Sequence, residues 1–477
     1  MRRIIIIGGG ISGLAAAHRL LELSTESNEP LKLTLLEASP RLGGVIRTEH
    51  REGFVIEAGP DSFISEKPEA LELAQRLGLT AELIETNKEH RRSFIVRHGK
   101  LRPVPAGFQL LAPSQLWPFL ISDILSLKGK ARLALDLFLP RGISANGTAD
   151  ESLADFVRRR LGQEALTRVA QPMIGGIYTA DPDRLSLRAT MPRFLEMERE
   201  HRSLIRALWR QSSAGTSGAR YSLFLSFAGG MQTLTDRLAQ TIEASSADSG
   251  GPRILLNAKG EKLALEPESP GGNDPGRWKV VTRGGETLSA DAVCLALPPY
   301  ASAELLRELD PALANRLEAI PFASTATVNL AYKRSDVPHP LNGFGFVVPF
   351  IEKRTLLACT FSSVKFAARA PAGYVLLRAF VGGALQPEMF ELDDGEMIRR
   401  VGDDLRALLG ISRPPLFAHV ARWARSMPQY HVGHLERMEQ IGARVELLKG
   451  LTLAGNAFNG PGIPDCIRSG EQAAERS

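Results

Sequence analysis

Four consecutive isoleucines, Ile4 to Ile7, lead directly into Gly8-Gly9-Gly10-Ile11-Ser12-Gly13-Leu14, and no other stretch restricts the fold as strongly. The β-branched run reads as a strand buried on both faces, and Leu14 to Leu21 reads as a helix. Gly8, Gly10 and Gly13 stand between them at G-x-G-x-x-G spacing. Each glycine has a task there: a tight turn, close backbone approach to a pyrophosphate, and close packing of helix on strand. The N–H groups and positive dipole end of the helix then face the phosphates. A second strand, Leu31 to Leu36, ends in Glu37, about twenty residues past the last glycine, where a carboxylate accepts hydrogen bonds from a ribose. The pattern predicts a dinucleotide-binding Rossmann-like unit.

A chain of 477 residues with 44% hydrophobic composition can build two or three domains with sizeable cores. The net charge of +5 permits an anionic membrane surface or an acidic small molecule as partner and requires neither. No dense Lys/Arg stretch with interleaved aromatics points to nucleic acid. Cys294, Cys359 and Cys466 lie far apart without C-x-x-C spacing, which fits a reducing compartment better than a disulfide framework. The functional strand begins almost at the first residue, so no signal or transit peptide is expected. No apolar run approaches the eighteen or so residues of a membrane-spanning helix. The expected location is cytoplasmic, with peripheral contact at the inner face of a membrane left open. Neither a Ser-His-Asp order, a metal cluster nor H-E-x-x-H stands out, and the nine histidines are scattered.

Further along, Ser93-Phe94-Ile95-Val96 and Lys100-Leu101 read as a hairpin. Between Phe108 and Pro140, apolar pairs such as Leu110-Leu111, Leu116-Trp117 and Ile124-Leu125 recur at near-helical spacing, followed by Lys128, Lys130 and Arg132. Two readings stay open: a helical subdomain packing on itself, or an apolar surface with a basic fringe that lies on a bilayer. Ser152 to Leu161 is expected to be a helix whose Arg158, Arg159 and Arg160 form a solvated face, and Glu196 to Arg210 a charged helix. Residues 211–218, 245–252 and 267–276 read as turn-rich connectors. Strands dominate from Thr325 to Val381 and suggest a large mixed sheet, while Ala292 to Leu297 and Leu451 to Asn456 return to the first sheet. The expected architecture is α/β, with a dinucleotide-binding domain drawn from residues 1–90, 211–300 and 421–477. A helical subdomain at 91–210 and a mixed-sheet substrate domain at 301–420 are inserted into it.

Arg41-Leu42-Gly43-Gly44 with Thr48 resembles the R-x-x-G-G-x-x-x-T extension of FAD-dependent amine oxidases and their relatives. With Gly59-Pro60-Asp61-Ser62-Phe63, Gly176-Ile177-Tyr178, Gly229-Gly230-Met231, Arg422-Trp423, Pro428-Gln429-Tyr430 and Gly462-Ile463-Pro464-Asp465-Cys466, nearly the whole chain resembles the protoporphyrinogen oxidase family, including its coproporphyrinogen-oxidising bacterial branch. The resemblance implies non-covalent FAD, an amine-oxidase-like fold, and FAD contacts at Gly8, Gly9, Gly10, Ile11, Ser12, Gly13, Glu37, Ala38, Arg41, Gly44 and Val45. It implies others at Gly59, Pro60, Asp61 and Ser62, and at Trp423, Pro461, Gly462 and Ile463. Gly260 stands where the family usually has Val at the adenine side. For the substrate, it implies that the Gly176 carbonyl faces the tetrapyrrole and that Phe346, Val347 and Phe366 sandwich its rings. Where many protoporphyrinogen-specific members carry a propionate-binding arginine, this chain has Ser93, with Arg92 one residue earlier.

The implied reaction removes six electrons from a porphyrinogen in three flavin turnovers, each ending in reoxidation by oxygen to hydrogen peroxide. Such a substrate is already a strong reductant, so the protein needs little acid–base apparatus and chiefly orients it. A ferrochelatase is an implied candidate partner, and the oligomeric state is left open between monomer and homodimer. An amine oxidase or carotenoid desaturase is the first rival, although an aromatic cage fits poorly with 6% aromatic residues. A flavin-binding scaffold without turnover is the second.

Overall fold

In a computed structural model, residues 1–105, 107–109, 111–113, 115–142, 149–213, 224–245, 252–266 and 277–477 are described. The isoleucine run forms the middle strand, Arg2–Ile7, of a five-stranded parallel sheet. Leu31–Leu36 and then Arg253–Leu255 lie to one side of it, and Ala292–Leu295 and then Leu451–Leu453 to the other. Because side chains alternate along a strand, Ile4 and Ile6 enter one core and Ile5 and Ile7 another. The first core is closed by the helix Ile11–Ser27 and by the last helix, Ile463–Arg476. A Cβ on Gly470 would stand 2.1 Å from the Ser12 carbonyl, so only glycine lets these two helices pack this closely. The second core holds the buried Trp278 of a three-stranded antiparallel sheet, together with the helices Pro299–Leu306 and Pro311–Glu318.

The second large layer is a seven-stranded mixed sheet. Its order is Phe417–Pro428, Phe322–Lys333, Tyr374–Gly382, Ala358–Phe361, Gly345–Val347, Phe94–Arg97 and Lys100–Pro103. Only the pairing of Gly345–Val347 with Phe94–Arg97 is parallel. One face of this sheet, carrying Phe94, Phe346, Cys359 and Val328, packs on the helix Asp394–Leu409. The registers put Ile95, Val347, Ala358, Phe380, Thr327 and Ala421 in a row on the opposite face. That face meets the helical region, whose core includes Phe119, Phe156, Ile174 and Phe194.

Several expectations change here. The hairpin at 94–103 belongs to the seven-stranded sheet and not to the helical region, because its backbone pairs with residues 345–347, far away in sequence. Residues 299–318 pack on the five-stranded sheet through Leu306, Leu313 and Leu317, so the substrate sheet begins near Phe322. The expected helix from Glu196 to Arg210 is two helices, Pro192–His201 and Leu204–Ser213, parted at Arg202, which adopts a left-handed φ of 64°.

Of the expected solvated face, Arg158 stays at the surface with Asp155 and Asp183, whereas Arg159 and Arg160 turn inward. Arg160 is fully buried, its Nε donating to Asp136 Oδ1 at 2.7 Å and its Nη2 to the Arg202 carbonyl at 2.7 Å. Arg159 pairs with the buried Glu198 and with Glu151. Of the connectors expected at 211–218, 245–252 and 267–276, residues 211–213 end the helix Leu204–Ser213, and residues 214–218, 246–251 and 267–276 lie outside the described residues. Among the described residues no helix is long and apolar enough to cross a membrane.

Candidate functional site

The glycine junction folds into a cradle. Gly8 has φ +115°, and a Cβ on it would lie 2.3 Å from the Ala296 carbonyl oxygen. A Cβ on Gly13 would lie 1.9 Å from the Gly8 carbonyl, whereas one on Gly10 would meet nothing nearer than the Gly44 Cα at 4.0 Å. Gly8 and Gly13 are thus steric necessities of the turn, and Gly10 opens toward whatever the loop holds. The helix begins at Ile11, Gly10 gives it no side-chain cap, and Ser12 and Gly13 are buried in its first turn. Its first N–H groups and dipole are therefore available to an anion.

Glu37 sits beside this loop. Its Oε2 accepts from the Gly9 N–H at 2.7 Å and its Oε1 from the Ser39 N–H at 2.8 Å. Each oxygen retains acceptor capacity for a hydroxyl, and the carboxylate is already oriented. Ala38 is exposed next to it. Gly260 is buried with Ile7 Cδ1 3.3 Å from where a Cβ would stand, so a larger residue would press on the central strand.

The second glycine turn docks on the first. The Gly43 N–H donates to the Gly9 carbonyl at 2.8 Å. Arg41, expected as a cofactor contact, braces this turn: its guanidinium donates to the carbonyls of Leu42 (2.9 Å), Ile46 (3.0 Å) and Gly44. Burial, then the neighbouring Arg47, holds its pKa below the usual value. Gly44 and Val45 are exposed on the outer side. Gly59 fits against Val45 so tightly that a Cβ would fall 1.7 Å from the Val45 carbonyl.

From there the seven-stranded sheet takes hold of the chain. Asn329 Nδ2 donates to the Glu57 carbonyl at 3.3 Å, and Thr327 Oγ1 and Trp423 Nε1 both donate to the Ala58 carbonyl at 2.8 Å. Arg378 donates to the Gly59 carbonyl. Pro60 is partly buried in the turn, and Asp61 then pairs with Lys365 at 2.9 Å and accepts from Ser62 Oγ at 2.8 Å. Burial opposes the Asp61 carboxylate, but Lys365 and Arg378 outweigh it and hold its pKa well below the ordinary range.

The last helix completes the enclosure. Its N-cap is Gly462, with Ile463 and Pro464 in the first turn and no side-chain cap. Pro461 leads into it, and Tyr430 fixes the loop before it by donating to the Asn456 carbonyl and accepting from the Gly460 N–H at 2.9 Å. Gly176 reaches the same neighbourhood from the helix Gln171–Tyr178, which follows a π-helical stretch at Leu166–Ala170. Such widened turns shift the following residues around the helix axis and recur at functional sites. Gly176 is exposed in the last helical turn, where carbonyls lack an intrahelical partner. Burial, then the charge of Asp465 in the last helix, pushes the nearby Tyr178 phenol up to about 12.

Among the expected substrate contacts, Val347 faces this site, with its Cγ1 3.5 Å from where a Gly176 Cβ would be. Phe346, one residue away, points to the other face and is 2% exposed in the core, because successive strand residues alternate. Phe366 is 1% exposed, its ring covered by Lys365 and Arg369 at 5.0 and 5.6 Å, so it lines the cation cluster and not an open groove. Ser93 shares the parity of Ile95 and Val347, whereas Arg92 lies exposed over Gly343. The half-buried Phe380 was missed: it stands on the site-facing row beside Thr327, with Arg378 4.7 Å from its ring. Only the cross-strand register reveals that face. Cys466 is buried in the last helix, and burial pushes its thiol up to about 12.

With this geometry in view, the model of the flavin-containing amine oxidoreductases matches residues 11–476. The chain belongs to that family. Within the flavin-containing amine oxidoreductases it groups with the porphyrinogen oxidases. It is 36% identical to the coproporphyrinogen III oxidase of Bacillus subtilis (strain 168), over 99% of this chain and 97% of that one. It is 31% identical to the protoporphyrinogen oxidase of Bos taurus, over 100% and 98%. A crystal structure from Exiguobacterium sp. 255-15, provisionally named a protoporphyrinogen oxidase, superposes with a TM-score of 0.86 at 30% identity, covering 99% and 98%. A putrescine oxidase structure, at 17% identity and a TM-score of 0.67, shares the fold. FAD is the cofactor of this amine-oxidase-like α/β flavoprotein. The open face of Gly10, the uncapped helix and the oriented Glu37 carboxylate all fit it.

Proposed function

We propose that this protein oxidises a porphyrinogen to the porphyrin with oxygen in haem biosynthesis, and that coproporphyrinogen III is its substrate. The observation that carries the choice is the identity of 36%, 36% and 31% to three bacterial coproporphyrinogen III oxidases, each over 99% of this chain. Bound FAD supplies the oxidant and passes the electrons to oxygen as hydrogen peroxide.

The chain's own residues bind and orient. Gly8 to Gly13 and Glu37 take the pyrophosphate and ribose, and the clasped turn at Gly59 to Ser62 takes the flavin end. The start of the last helix, at Gly462 and Ile463 after Pro461, offers backbone N–H groups to the flavin, and Trp423 lies on the clasp that holds Ala58. Opposite it, the bare helix end at Gly176 directs its carbonyl to the macrocycle, and Val347 and Phe380 offer apolar area for the tetrapyrrole rings. No side chain here is required to hold a proton between steps, because aromatisation of the macrocycle drives the reaction. Ser93 stands where many protoporphyrinogen-specific members of the family carry a propionate-binding arginine, and in this it resembles the coproporphyrinogen-oxidising branch.

The test is anaerobic bleaching of the flavin, then oxygen readmission, with coproporphyrinogen III and protoporphyrinogen IX in parallel. Faster bleaching by coproporphyrinogen III is expected. Faster bleaching by protoporphyrinogen IX would overturn the substrate choice, and bleaching by neither would overturn the reaction.

We further propose peripheral membrane contact. Trp117, Leu127 and Phe138 are 72%, 83% and 71% exposed, with Leu120 and Ile121 beside them. The basic fringe is thinner than expected. Lys130 donates to the Leu120 and Ser122 carbonyls and Arg132 to the carbonyls ending the helix Leu153–Arg160, so Lys128 alone of the three stands exposed. Apolar area, more than charge, supports this reading.

A further inference from the structure

Five ionisable side chains meet at the Gly59–Ser62 turn; Asp61 belongs to that turn, and the oxidation chemistry described above gives the other four no direct part. Lys365, Arg369 and Arg378 come from the seven-stranded sheet and its connection, and Glu57 and Asp61 from the N-terminal region. Arg369, Arg378 and Glu57 are buried, and Lys365 and Asp61 nearly so. Lys365 is held tightly: its Nζ donates to Asp61 Oδ2 at 2.9 Å, Asp61 Oδ1 at 3.0 Å and Ser62 Oγ at 3.1 Å. Phe366 and Phe224 rings lie 5.0 and 5.4 Å from the same ammonium and keep water from it. Arg378 stands 3.8 Å from Asp61, and Arg369 stands 3.7 Å from Glu57. Three cations thus face two carboxylates in a nearly dry cluster.

We propose that this cluster, through its uncompensated positive charge, raises the reduction potential of the bound flavin, and that Lys365 is its principal positioning residue. The proposal rests on the reading that the Gly59–Ser62 turn borders the flavin. The order of contacts supports that placement. The dinucleotide cradle at Gly10 adjoins Gly44, the Val45 carbonyl touches Gly59, and Gly59 is gripped by Arg378. A dinucleotide lying along this path ends against the face that carries the cluster.

The physical effect follows from charge. Taking up two electrons leaves a flavin more negative than before, and a nearby cation favours the more negative form. Solvent screens an exposed charge within about 10 Å, but a buried one is screened far less. A structural clasp would have no preference between oxidised and reduced flavin. A net charge has one, and its sign can be reversed by choosing which member to remove.

The experiment is measurement of the midpoint potential of the FAD-loaded full chain against a reference dye, with FAD affinity followed in parallel. Lys365→Met removes a cation and leaves Arg378 as the remaining cation beside Asp61. It is expected to weaken the preference for reduced over oxidised flavin about tenfold, which for a two-electron couple is a potential lower by ~30 mV. Asp61→Asn removes an anion and is expected to shift the potential upward, while Lys365→Arg stays near the parent value. Both Lys365→Met and Asp61→Asn shifting the same way, or affinity falling with the potential unmoved, would reduce the cluster to a clasp and overturn the proposal. No change in either quantity would instead overturn the placement of the turn. If Lys365→Met fails to retain FAD, Asp61→Asn decides alone: an upward shift supports the proposal, and an unchanged or lower potential refutes it.

Discussion

His434 stacks on Tyr430 with the rings 4.1 Å apart and nearly parallel, and it is buried. Burial first, then Arg437, pushes its pKa from the ordinary 6.5 down to about 4. The unfolded chain takes up this proton as the pH falls through 6.5, while the folded chain refuses it until about 4. Stability from this group is therefore full above pH 6.5 and is lost progressively between 6.5 and 4. His434→Phe, which keeps a ring against Tyr430, should show a smaller drop in Tm between pH 7 and pH 5 than the parent chain. An equal drop would mean that the histidine is not sheltered as described. His18, His339 and His431, whose pKa values burial also lowers, would contribute to the remaining slope. At this scale the sequence speaks clearly where the chemistry is local. The spacing of Gly8, Gly10 and Gly13, and Glu37 at the end of the next strand, need only their neighbours to be read. Phe346 and Phe380 could not be sorted in the same way, since each side chain's face depends on which strand lies alongside. Phe366 ends a short helix, and its cover, Lys365 and Arg369, comes from its own connection.

Elements tell a similar story through charge. Three successive arginines look like a solvated stripe because their partners, Asp136 and Glu198, are distant in sequence. Asp136 Oδ2 also accepts from Ser203 Oγ at 2.6 Å and from the Ile205 N–H at 3.1 Å, so one carboxylate joins three helical segments. Arg160→Met would leave that carboxylate buried without its cation, a change that typically costs about 3–5 kcal/mol. Chemical denaturation should register a loss of that order, and a loss below ~1 kcal/mol would show that the network is solvated. The same network roots the apolar segment around Trp117 to Phe138 in the helical core. The π-helical stretch before Gly176 has no signature that periodicity could detect, because the residues at 166–170 read as ordinary helix.

The molecule as a whole joins two sheets that are each sewn from distant stretches of chain. The mixed α/β architecture and the return of residues 292–295 and 451–453 to the first sheet were legible, because buried parallel strands are short apolar runs with plain ends. The clasp of the seven-stranded sheet on Glu57, Ala58 and Gly59 was not, since it lives between domains. Membrane contact belongs to this scale as well. Flotation with liposomes should carry the parent chain upward, and the triple change Trp117→Ser, Ile121→Ser and Phe138→Ser should leave more of it in the soluble fraction. Recovery of the parent chain wholly in the soluble fraction would end that proposal.

The close packing of the helices Ile11–Ser27 and Ile463–Arg476 across Gly470 also sets a timetable. During synthesis at about 5–20 residues per second, the first helix waits roughly 20 to 90 seconds for the last one to be made. Ala15, Ala16 and Leu20 lack that partner throughout the wait, and the turn at Gly462, which we propose meets the flavin, does not yet exist. Cofactor capture is thus a late event in the life of each chain, and a nascent chain stalled short of its final helix offers a chaperone an apolar stripe in place of a finished pocket.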